Sequence, residues 1–289
     1  MTQQPSPSTI TAILHRHGQI DPSESSKHQA WQRFERTGPN ELWQMDCKGC
    51  FPLELGSCHP LPVLDDHSRF LLGLRACPNQ RQETVQAHLS DIFRHYGLPE
   101  QMLVDNGPPW GDDTEHRHTA LTTWLIRLGI QVRHSRPDHP QTLGKDERLH
   151  RTLGAELLQQ TSWSTFQECQ EQFERWRELY NTYRPHEALA LEVPAERYHP
   201  SPRPFPEHLP PILYEPTDSV RKVDQNGCIY FVNRRFRVGK AFRRQPVALR
   251  PAATPGEFEV FFCHQRVATI SLKEHNPKPS PVTHVSEHL

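Results

Sequence analysis

The sequence predicts an α/β fold: a mixed five-stranded sheet with helices on both faces, followed by a small all-β domain. Residues 42–76 hold three strand patterns broken by turn residues, which is typical of an antiparallel meander. Residues 83–183 then alternate amphipathic helices with short apolar strands, the order expected of a sheet that is partly parallel. Beyond a proline-rich stretch, short β-rich runs separated by turn residues favour a small β-barrel.

The first strands are recognised by their period of two. The run from Trp43 to Cys47 alternates apolar and polar positions, which puts Asp46 in the middle of a strand on its more polar face. Residues 61–64 and 70–76 predict two further strands. The turn composition of Asp65-Asp66-His67-Ser68 joins these two strands into a hairpin.

Helices and strands alternate in the next part of the chain. The predicted elements are a helix over 83–96, a strand over 101–104, a helix over 119–128, a strand over 130–132 and a helix over 165–183 capped by Ser164. Asp105 follows the strand over 101–104 at its carboxyl end, where open α/β sheets place their ligands.

One further helix begins near Lys145, after a loop punctuated by prolines. Leu149, Leu153 and Leu157 repeat every four residues and form its apolar stripe. Glu147 precedes Leu149 by two residues, so it points about 200° away from the stripe and off the core. The simplest alternative is an ordinary solvated helix face.

Composition limits the class of protein. A chain of 289 residues with 35% hydrophobic content can bury one substantial core and support a second small domain. The sequence lacks the long apolar run of a membrane span, and its first twenty residues lack the apolar core of a signal peptide. Seven irregularly spaced cysteines indicate reduced thiols in a cytoplasm.

The basic residues are concentrated near the C-terminus, although the formal net charge of the chain is only −1. Residues 219–250 contain one acid, Asp224, beside a set of basic residues: Arg221, Lys222, Arg234, Arg235, Arg237, Lys240, Arg243, Arg244 and Arg250. Such a surface is suited to backbone phosphates and carries no sequence preference of its own. The nearby aromatic residues Tyr230, Phe231 and Phe236 suit either base stacking or the core of the small domain.

Three acids occupy positions compatible with one edge of a sheet: Asp46, Asp105 and Glu147. Phosphodiester chemistry requires charge neutralisation at phosphorus and an in-line arrangement of the attacking and leaving oxygens, which two Mg²⁺ ions about 4 Å apart provide. Carboxylate oxygens are the ligands that Mg²⁺ prefers. The alternative is that each acid is an ordinary strand-end or surface residue, and periodicity does not decide between them.

Several motifs resemble, in the same order, those of bacterial insertion-sequence transposases with a retroviral-integrase-type catalytic core. They are Trp43-Gln44-Met45-Asp46, Leu64-Asp65-Asp66-His67-Ser68-Arg69-Phe70, Asp105-Asn106-Gly107, the segment His139 to Arg148, and Asn181-Thr182-Tyr183-Arg184-Pro185-His186. The resemblance implies a ribonuclease H-like core with Asp46, Asp105 and Glu147 as a DDE triad. It also implies two Mg²⁺ or Mn²⁺ ions per active site, DNA cleavage that leaves a 3′-OH, and transfer of that 3′-OH to target DNA.

The resemblance also assigns roles to neighbouring residues. Lys145, Arg148 and Arg151 are expected to contact DNA phosphates, whereas Asp65 and Asp66, the rival acids, are expected to be structural turn residues. Asn106 and Gln141 are expected to orient DNA or water, with structural hydrogen bonding as an equal alternative. The expected DNA contacts of the C-terminal domain are Arg234, Arg235, Arg237, Lys240, Arg243 and Arg244.

The expected domains follow from the resemblance together with the composition. They are a remnant of a helix-turn-helix region over 1–18, a linker over 19–40, the core over 41–197, a proline-rich linker over 198–217, a β-barrel that binds double-stranded DNA over 218–272 and a disordered tail over 273–289. The short helix from Ser8 to His17 departs from the family, which usually has complete helix-turn-helix modules. We therefore expect either an N-terminally truncated copy or recognition of the element's ends by another polypeptide.

Two other functions remain open: a metal-dependent nuclease of the same fold that cleaves without joining, and an inactive relic that binds DNA. The expected setting is a bacterial cytoplasm, on the nucleoid. The expected assembly is a homodimer or a higher oligomer on DNA.

Overall fold

The computed structural model describes residues 7–19, 36–47, 49–54, 56–111, 118–135, 144–159 and 163–273. The chain divides into two compact units, Met1–Glu35 and Arg36–Leu289. In the first unit, helix α1 spans Pro7–Arg16. The helix begins before Ser8, so the expected N-cap at that residue is wrong. No helix in the described ranges has both the length and the apolar character needed to cross a membrane.

The second unit is built on a six-stranded mixed sheet. Its strands are β1 (Leu42–Met45), β2 (Phe51–Leu53), β3 (Gly56–Asp65), β4 (Leu71–Cys77), β5 (Gln101–Val104) and β6 (Gln131–His134). Strand β3 pairs antiparallel with β1, β2 and β4, whereas β1, β5 and β6 are parallel. The mixed sheet is confirmed. The expected count of five strands omitted β2, whose Pro52 argued against a strand but is tolerated in a short strand with one partner.

Strand β1 is shorter than expected and more deeply buried. It ends at Met45, so Asp46 lies immediately beyond the strand and not in its middle, which corrects the sequence prediction. All four residues of β1 are buried, including Gln44 with 2% of its surface exposed. The expected polar face of β1 is therefore inside the protein, because both faces of the sheet are covered at this strand.

The predicted helices are confirmed to within two residues. They are α2 (Gln82–Tyr96), α3 (Ala120–Arg127), α4 (Gly144–Leu153) and α5 (Phe166–Thr182), with a π-helical turn over Gly154–Leu158 directly after α4. The short helix α6 (Pro194–Arg197) was not predicted. The N-cap of α5 is Thr165, whose hydroxyl accepts a hydrogen bond from the Glu168 N–H at 3.2 Å. The expected cap at Ser164 is wrong by one residue.

Two apolar clusters lie on either side of the sheet, so helices cover both faces. One contains Trp43 of β1 with Phe93 of α2 and Leu125 of α3. The other contains Leu64 of β3 with Leu149 of α4 and Phe173 of α5. Leu149, Leu153 and Leu157 are all buried, as the stripe predicted, and the inner side of α4 is thereby fixed against the sheet.

Helix α5 covers the outer edge of β4 with polar side chains. The Asn181 amide accepts from the Leu71 N–H at 2.8 Å and donates to the Leu71 carbonyl at 3.0 Å. Gln170 does the same further along the strand, accepting from the Ala76 N–H at 2.8 Å and donating to the Leu74 carbonyl at 3.0 Å. The backbone groups of an edge strand are therefore satisfied without another strand.

The C-terminal region is all-β, as predicted. Its strands are β7 (Ser219–Lys222), β8 (Cys228–Phe231), β9 (Arg234–Arg237), β10 (Pro246–Pro251), β11 (Glu257–Phe262) and β12 (Gln265–Ser271). They form a four-stranded antiparallel sheet in the order β12-β11-β10-β7 and a two-stranded sheet of β8 and β9. Strand β9 was not predicted, because Phe236 is its only buried residue among arginines.

The C-terminal region packs on the opposite edge of the mixed sheet. Gln265 donates to the Val132 carbonyl at 3.0 Å and accepts from the Val132 N–H at 2.9 Å, so its amide takes the place of a neighbouring strand beside β6. The ring of Phe242 packs against His118, with ring centroids 5.3 Å apart. The apolar cluster around Trp43 continues into this region, which gives the two parts a shared core.

Asn181→Leu tests whether α5 holds the edge strand. The substitution removes the acceptor of the buried Leu71 N–H, whereas the Leu71 carbonyl keeps the Arg177 guanidinium as a donor at 3.3 Å. We expect the free energy of unfolding, measured by urea titration, to fall by about 2 kcal/mol. The exposed change Gln167→Ala on the same helix is the control and should alter it by less than about 0.5 kcal/mol. Equal stability of the two variants would contradict the assignment.

Candidate active site

Two of the three predicted acids are neighbours because their strands are parallel. Met45 pairs with Val104 at the carboxyl ends of β1 and β5, so Asp46 and Asp105 follow side by side at the same edge of the sheet. Both residues are half-buried. Glu147 lies on α4, the helix that packs across this part of the sheet through Leu149 and Leu153, and it is exposed. The structure therefore brings residues from three separate segments to one region.

The charges of Asp105 and Glu147 act on Asp46. The pKa of Asp46 is raised to about 6, by burial first and then by the nearby carboxylates of Asp105 and Glu147, against a hydrogen bond from the Cys47 backbone that lowers it. Like charges at short range raise a carboxylate pKa because ionisation of one opposes ionisation of the next. Asp46 is thus within electrostatic reach of the other two acids.

The three acids are suited to a divalent cation by their chemistry, although they do not surround a single point. Within the described ranges, no group of three His, Cys, Asp or Glu side chains lies close enough together to hold a metal ion. The donor set is all carboxylate, which is the set that Mg²⁺ or Mn²⁺ binds. A cation would also relieve the mutual repulsion that raises the pKa of Asp46.

Asp105 is supported by the end of the neighbouring strand. Ser135 follows β6 at the level of Asp105, and its hydroxyl donates to the Asp105 carboxylate at 3.4 Å. Asn106 donates to the Ser135 carbonyl at 2.9 Å and to its hydroxyl at 3.2 Å. Asn106 therefore has structural hydrogen bonds here, while Gln141 lies outside the described residues. Ser135 was not predicted as a site residue. The available signal was a hydroxyl residue at the end of a strand that lies beside the strand preceding Asp105.

Asp65 and Asp66 are fully buried and have donors of their own. The Asp65 carboxylate accepts from the Asn40 N–H at 2.7 Å, the Ser68 N–H at 2.8 Å and the Ser68 hydroxyl at 2.6 Å. The Asp66 carboxylate accepts from the Gln44 amide at 2.5 Å and forms an ion pair with the Lys145 ammonium at 2.6 Å. These contacts hold the β3–β4 turn and the segments around it, which is the structural role expected of both acids.

The basic residues of α4 differ in their surroundings. Lys145 is paired with Asp66, so its ammonium faces a protein carboxylate. Arg148 and Arg151 are exposed. The pKa of His186 is lowered to about 4 by burial and by the charges of Arg184, Arg148 and Arg69, which places Arg148 in a basic neighbourhood.

The basic residues of the C-terminal region are exposed, but several have partners. All six expected DNA contacts lie on the surface: Arg234, Arg235, Arg237, Lys240, Arg243 and Arg244. Arg235 pairs with Asp224 at 3.2 Å, and Arg234 donates to the Leu272 carbonyl. Of the aromatic residues, Phe231 and Phe236 belong to the core, whereas Tyr230 is 62% exposed.

Comparison with known families assigns the parts of the chain. Residues 36–140 and 128–194 each match an integrase core domain family, and residues 218–278 match the family described as IS481 family transposase, C-terminal domain. This chain therefore carries an integrase core domain. Its C-terminal region is similar to the C-terminal domain of IS481-family transposases, which supports the resemblance to bacterial insertion-sequence transposases.

Curated relatives cover part of the chain. The "Insertion element IS407 uncharacterized 31.7 kDa protein" of Burkholderia multivorans is 25% identical over 162 residues, 55% of this chain and 55% of the relative. The "Gag-Pol polyprotein" of Avian reticuloendotheliosis virus is 27% identical over 123 residues, 42% of this chain and 10% of the polyprotein. The chain thus spans about half of the first relative and a small part of the second.

Two solved structures are similar at low identity. The integrase of a simian T-cell lymphotropic virus intasome, in complex with PP2A regulatory subunit B56 gamma, is 15% identical and has a TM-score of 0.48, covering 91% of this chain and 99% of its own. The HTLV-2 integrase catalytic core domain, in complex with magnesium, is 15% identical and has a TM-score of 0.42, covering 56% of this chain and 99% of its own.

Asp65→Ala separates structural acids from the candidate catalytic ones. Loss of a buried carboxylate leaves the N–H groups of Asn40 and Ser68 without their acceptor, so we expect the free energy of unfolding to fall by about 3 kcal/mol in urea titrations. Asp91→Ala, which removes an exposed carboxylate paired with Arg94 on α2, should lower it by about 0.5 kcal/mol. If Asp65→Ala were as stable as wild type, Asp65 would not have the structural role assigned to it.

Proposed function

We propose that this chain is a DDE transposase that cleaves DNA phosphodiester bonds with divalent metal ions and transfers the resulting 3′-OH to target DNA. The observation that supports it most is that Asp46 and Asp105 follow two paired parallel strands, while the charge of Glu147, from a third segment, reaches Asp46. The integrase core and transposase domains provide independent support. We also propose the domain boundaries expected from the sequence.

In this proposal the three carboxylates hold two Mg²⁺ or Mn²⁺ ions. Bound metal would neutralise charge on the scissile phosphate and bring the attacking and leaving oxygens into line. The chain itself supplies the arrangement: the β1–β5 pairing sets Asp46 beside Asp105, Ser135 orients the Asp105 carboxylate, and α4 presents Glu147. Water is the first nucleophile and releases a 3′-OH. That 3′-OH then attacks a target phosphodiester and displaces the target's own 3′-oxygen, so no covalent bond to protein is required.

DNA binding is assigned to two basic surfaces. The first is the outer side of α4, with Arg148 and Arg151 beside Glu147. The second is the exposed face around β9. There Arg237, Lys240 and Arg243 lie with the other expected DNA contacts, some of which also bind groups of the protein itself. Contacts of this kind grip backbone phosphates, so binding should weaken steeply with salt. An oligomer on DNA belongs to the same proposal, because an element has two ends and each needs a cleavage site.

Asp105→Asn is the direct test of the chemistry. Purified protein is incubated with Mn²⁺ or Mg²⁺, duplex oligonucleotides carrying the element's ends, and target plasmid, and the products are resolved on denaturing gels. We expect wild-type protein to give nicked and joined products and Asp105→Asn to lower both by at least about a thousandfold, while its salt-dependent DNA binding stays unchanged. Asp91→Asn, an exposed change on α2, serves as the matched control and should behave as wild type.

The products distinguish the other functions. Nicked DNA without joined DNA would indicate a nuclease of the same fold, and DNA retention without products would indicate an inactive relic. If Asp105→Asn cleaved DNA as well as wild type does, the assignment of the catalytic triad would be wrong.

A further inference from the structure

Asp66 connects the segments that carry the proposed catalytic acids. Its carboxylate has no exposed surface and receives the Gln44 amide at 2.5 Å, the Lys145 ammonium at 2.6 Å and the Arg36 N–H at 3.1 Å. The same ammonium also donates to the Asp66 carbonyl at 3.2 Å. One buried residue of the β3–β4 turn therefore binds strand β1 and helix α4 together.

The two partners occupy equivalent places before two of the acids. Gln44 lies in β1, two residues before Asp46, which follows the end of the strand. Lys145 lies two residues before Glu147 on α4. The link through Asp66 thus ties together the backbone just ahead of Asp46 and just ahead of Glu147.

Lys145 also completes the inner stripe of α4. It precedes Leu149 by four residues, as Leu149 precedes Leu153, so all three lie on the side of the helix that faces the protein. Glu147 lies on the amino-terminal side of Leu149, the first buried apolar anchor of this helix. The ion pair between Lys145 and Asp66 is consequently an inward contact that holds the turn containing Glu147.

We propose that Asp66 and Lys145 are positioning residues: their ion pair sets the rotation of α4 so that Glu147 stands beside Asp46. This inference rests on the proposed function, because it gives the pair a purpose at the metal-binding carboxylates. It replaces the expected role of Lys145 as a phosphate contact. If the ammonium moved to DNA, the fully buried Asp66 carboxylate would lose its cation, which is strongly unfavourable.

The test measures metal affinity directly as well as activity. Wild-type protein and the variants Lys145→Gln, Asp66→Asn and Lys145→Arg are titrated with Mn²⁺ in the absence of DNA, with free Mn²⁺ followed by electron paramagnetic resonance. The Mn²⁺ concentration for half-maximal cleavage is measured in parallel. We expect Lys145→Gln and Asp66→Asn to raise both values about tenfold to a hundredfold, and Lys145→Arg, which keeps a cation for Asp66, to restore most of the affinity.

A surface ion pair provides the matched control. Glu192 and Arg197 are 2.6 Å apart beside α6 and neither forms a hydrogen bond or ion pair with Asp66 or Lys145, so Glu192→Gln should lose an ion pair without changing either Mn²⁺ value. Thermal melting of every variant separates lost stability from lost positioning. If Lys145→Gln does not fold, the comparison of Asp66→Asn with Lys145→Arg decides the question.

Two results would overturn the inference. If Lys145→Gln and Asp66→Asn bind Mn²⁺ as wild type does, the pair only stabilises the turn. If Lys145→Gln alone lowers DNA affinity and reduces the salt slope by about one, Lys145 is a phosphate contact. Failure of the proposed function looks different. In that case wild-type protein does not cleave DNA, and the variant Glu147→Gln binds Mn²⁺ as tightly as wild type does.

Discussion

The parallel pairing of β1 with β5 is the contact on which the candidate site depends. It brings Met45 level with Val104 and so sets Asp46 and Asp105 next to each other, although they are far apart in the sequence. The local sequence of each strand does not by itself determine that these two acids are neighbours. The pairing in turn needs both faces of β1 to be covered, and the apolar clusters around Trp43 and around Leu64 provide that cover on the two sides.

Both outer edges of this sheet are closed by side-chain amides. At β4 the amides of Gln170 and Asn181 bond to the free backbone groups, and at β6 the amide of Gln265 does so. A side-chain amide offers both donor and acceptor groups, as a neighbouring strand does. This explains how backbone groups of β4 are satisfied by a helix and those of Val132 in β6 by the C-terminal region, so that these groups are not available to another strand.

Patterns within a single segment were predictable, and contacts between segments were not. The stripe of α4, the hairpin at Asp65 and the strand before Asp105 follow from local spacing. The end of β1 before Asp46 does not, because Asp46 and Cys47 extend the alternation beyond the last paired residue. The deep burial of Gln44 could not be predicted either. Its partner Asp66 lies in the β3–β4 turn, and the Lys145 cation that pairs with Asp66 lies on a helix much later in the chain.

The fold surrounds the two turn acids and Asp46 with different groups. Asp65 and Asp66 are fully buried and bound within the turn: Asp65 accepts from the N–H and hydroxyl of Ser68, and Asp66 pairs with the Lys145 ammonium. Burial raises the pKa of Asp65 as it raises that of Asp46, although hydrogen bonds from Ser68 and Asn40 lower it. Asp46 differs because carboxylates from two other segments, Asp105 and Glu147, also raise its pKa. A fold that keeps like charges near one another in this way retains an unfavourable arrangement, and such exceptions to local consistency are typical of functional sites. Asp65 and Asp66 support the turn, whereas the carboxylates around Asp46 have the charge that a divalent cation would balance.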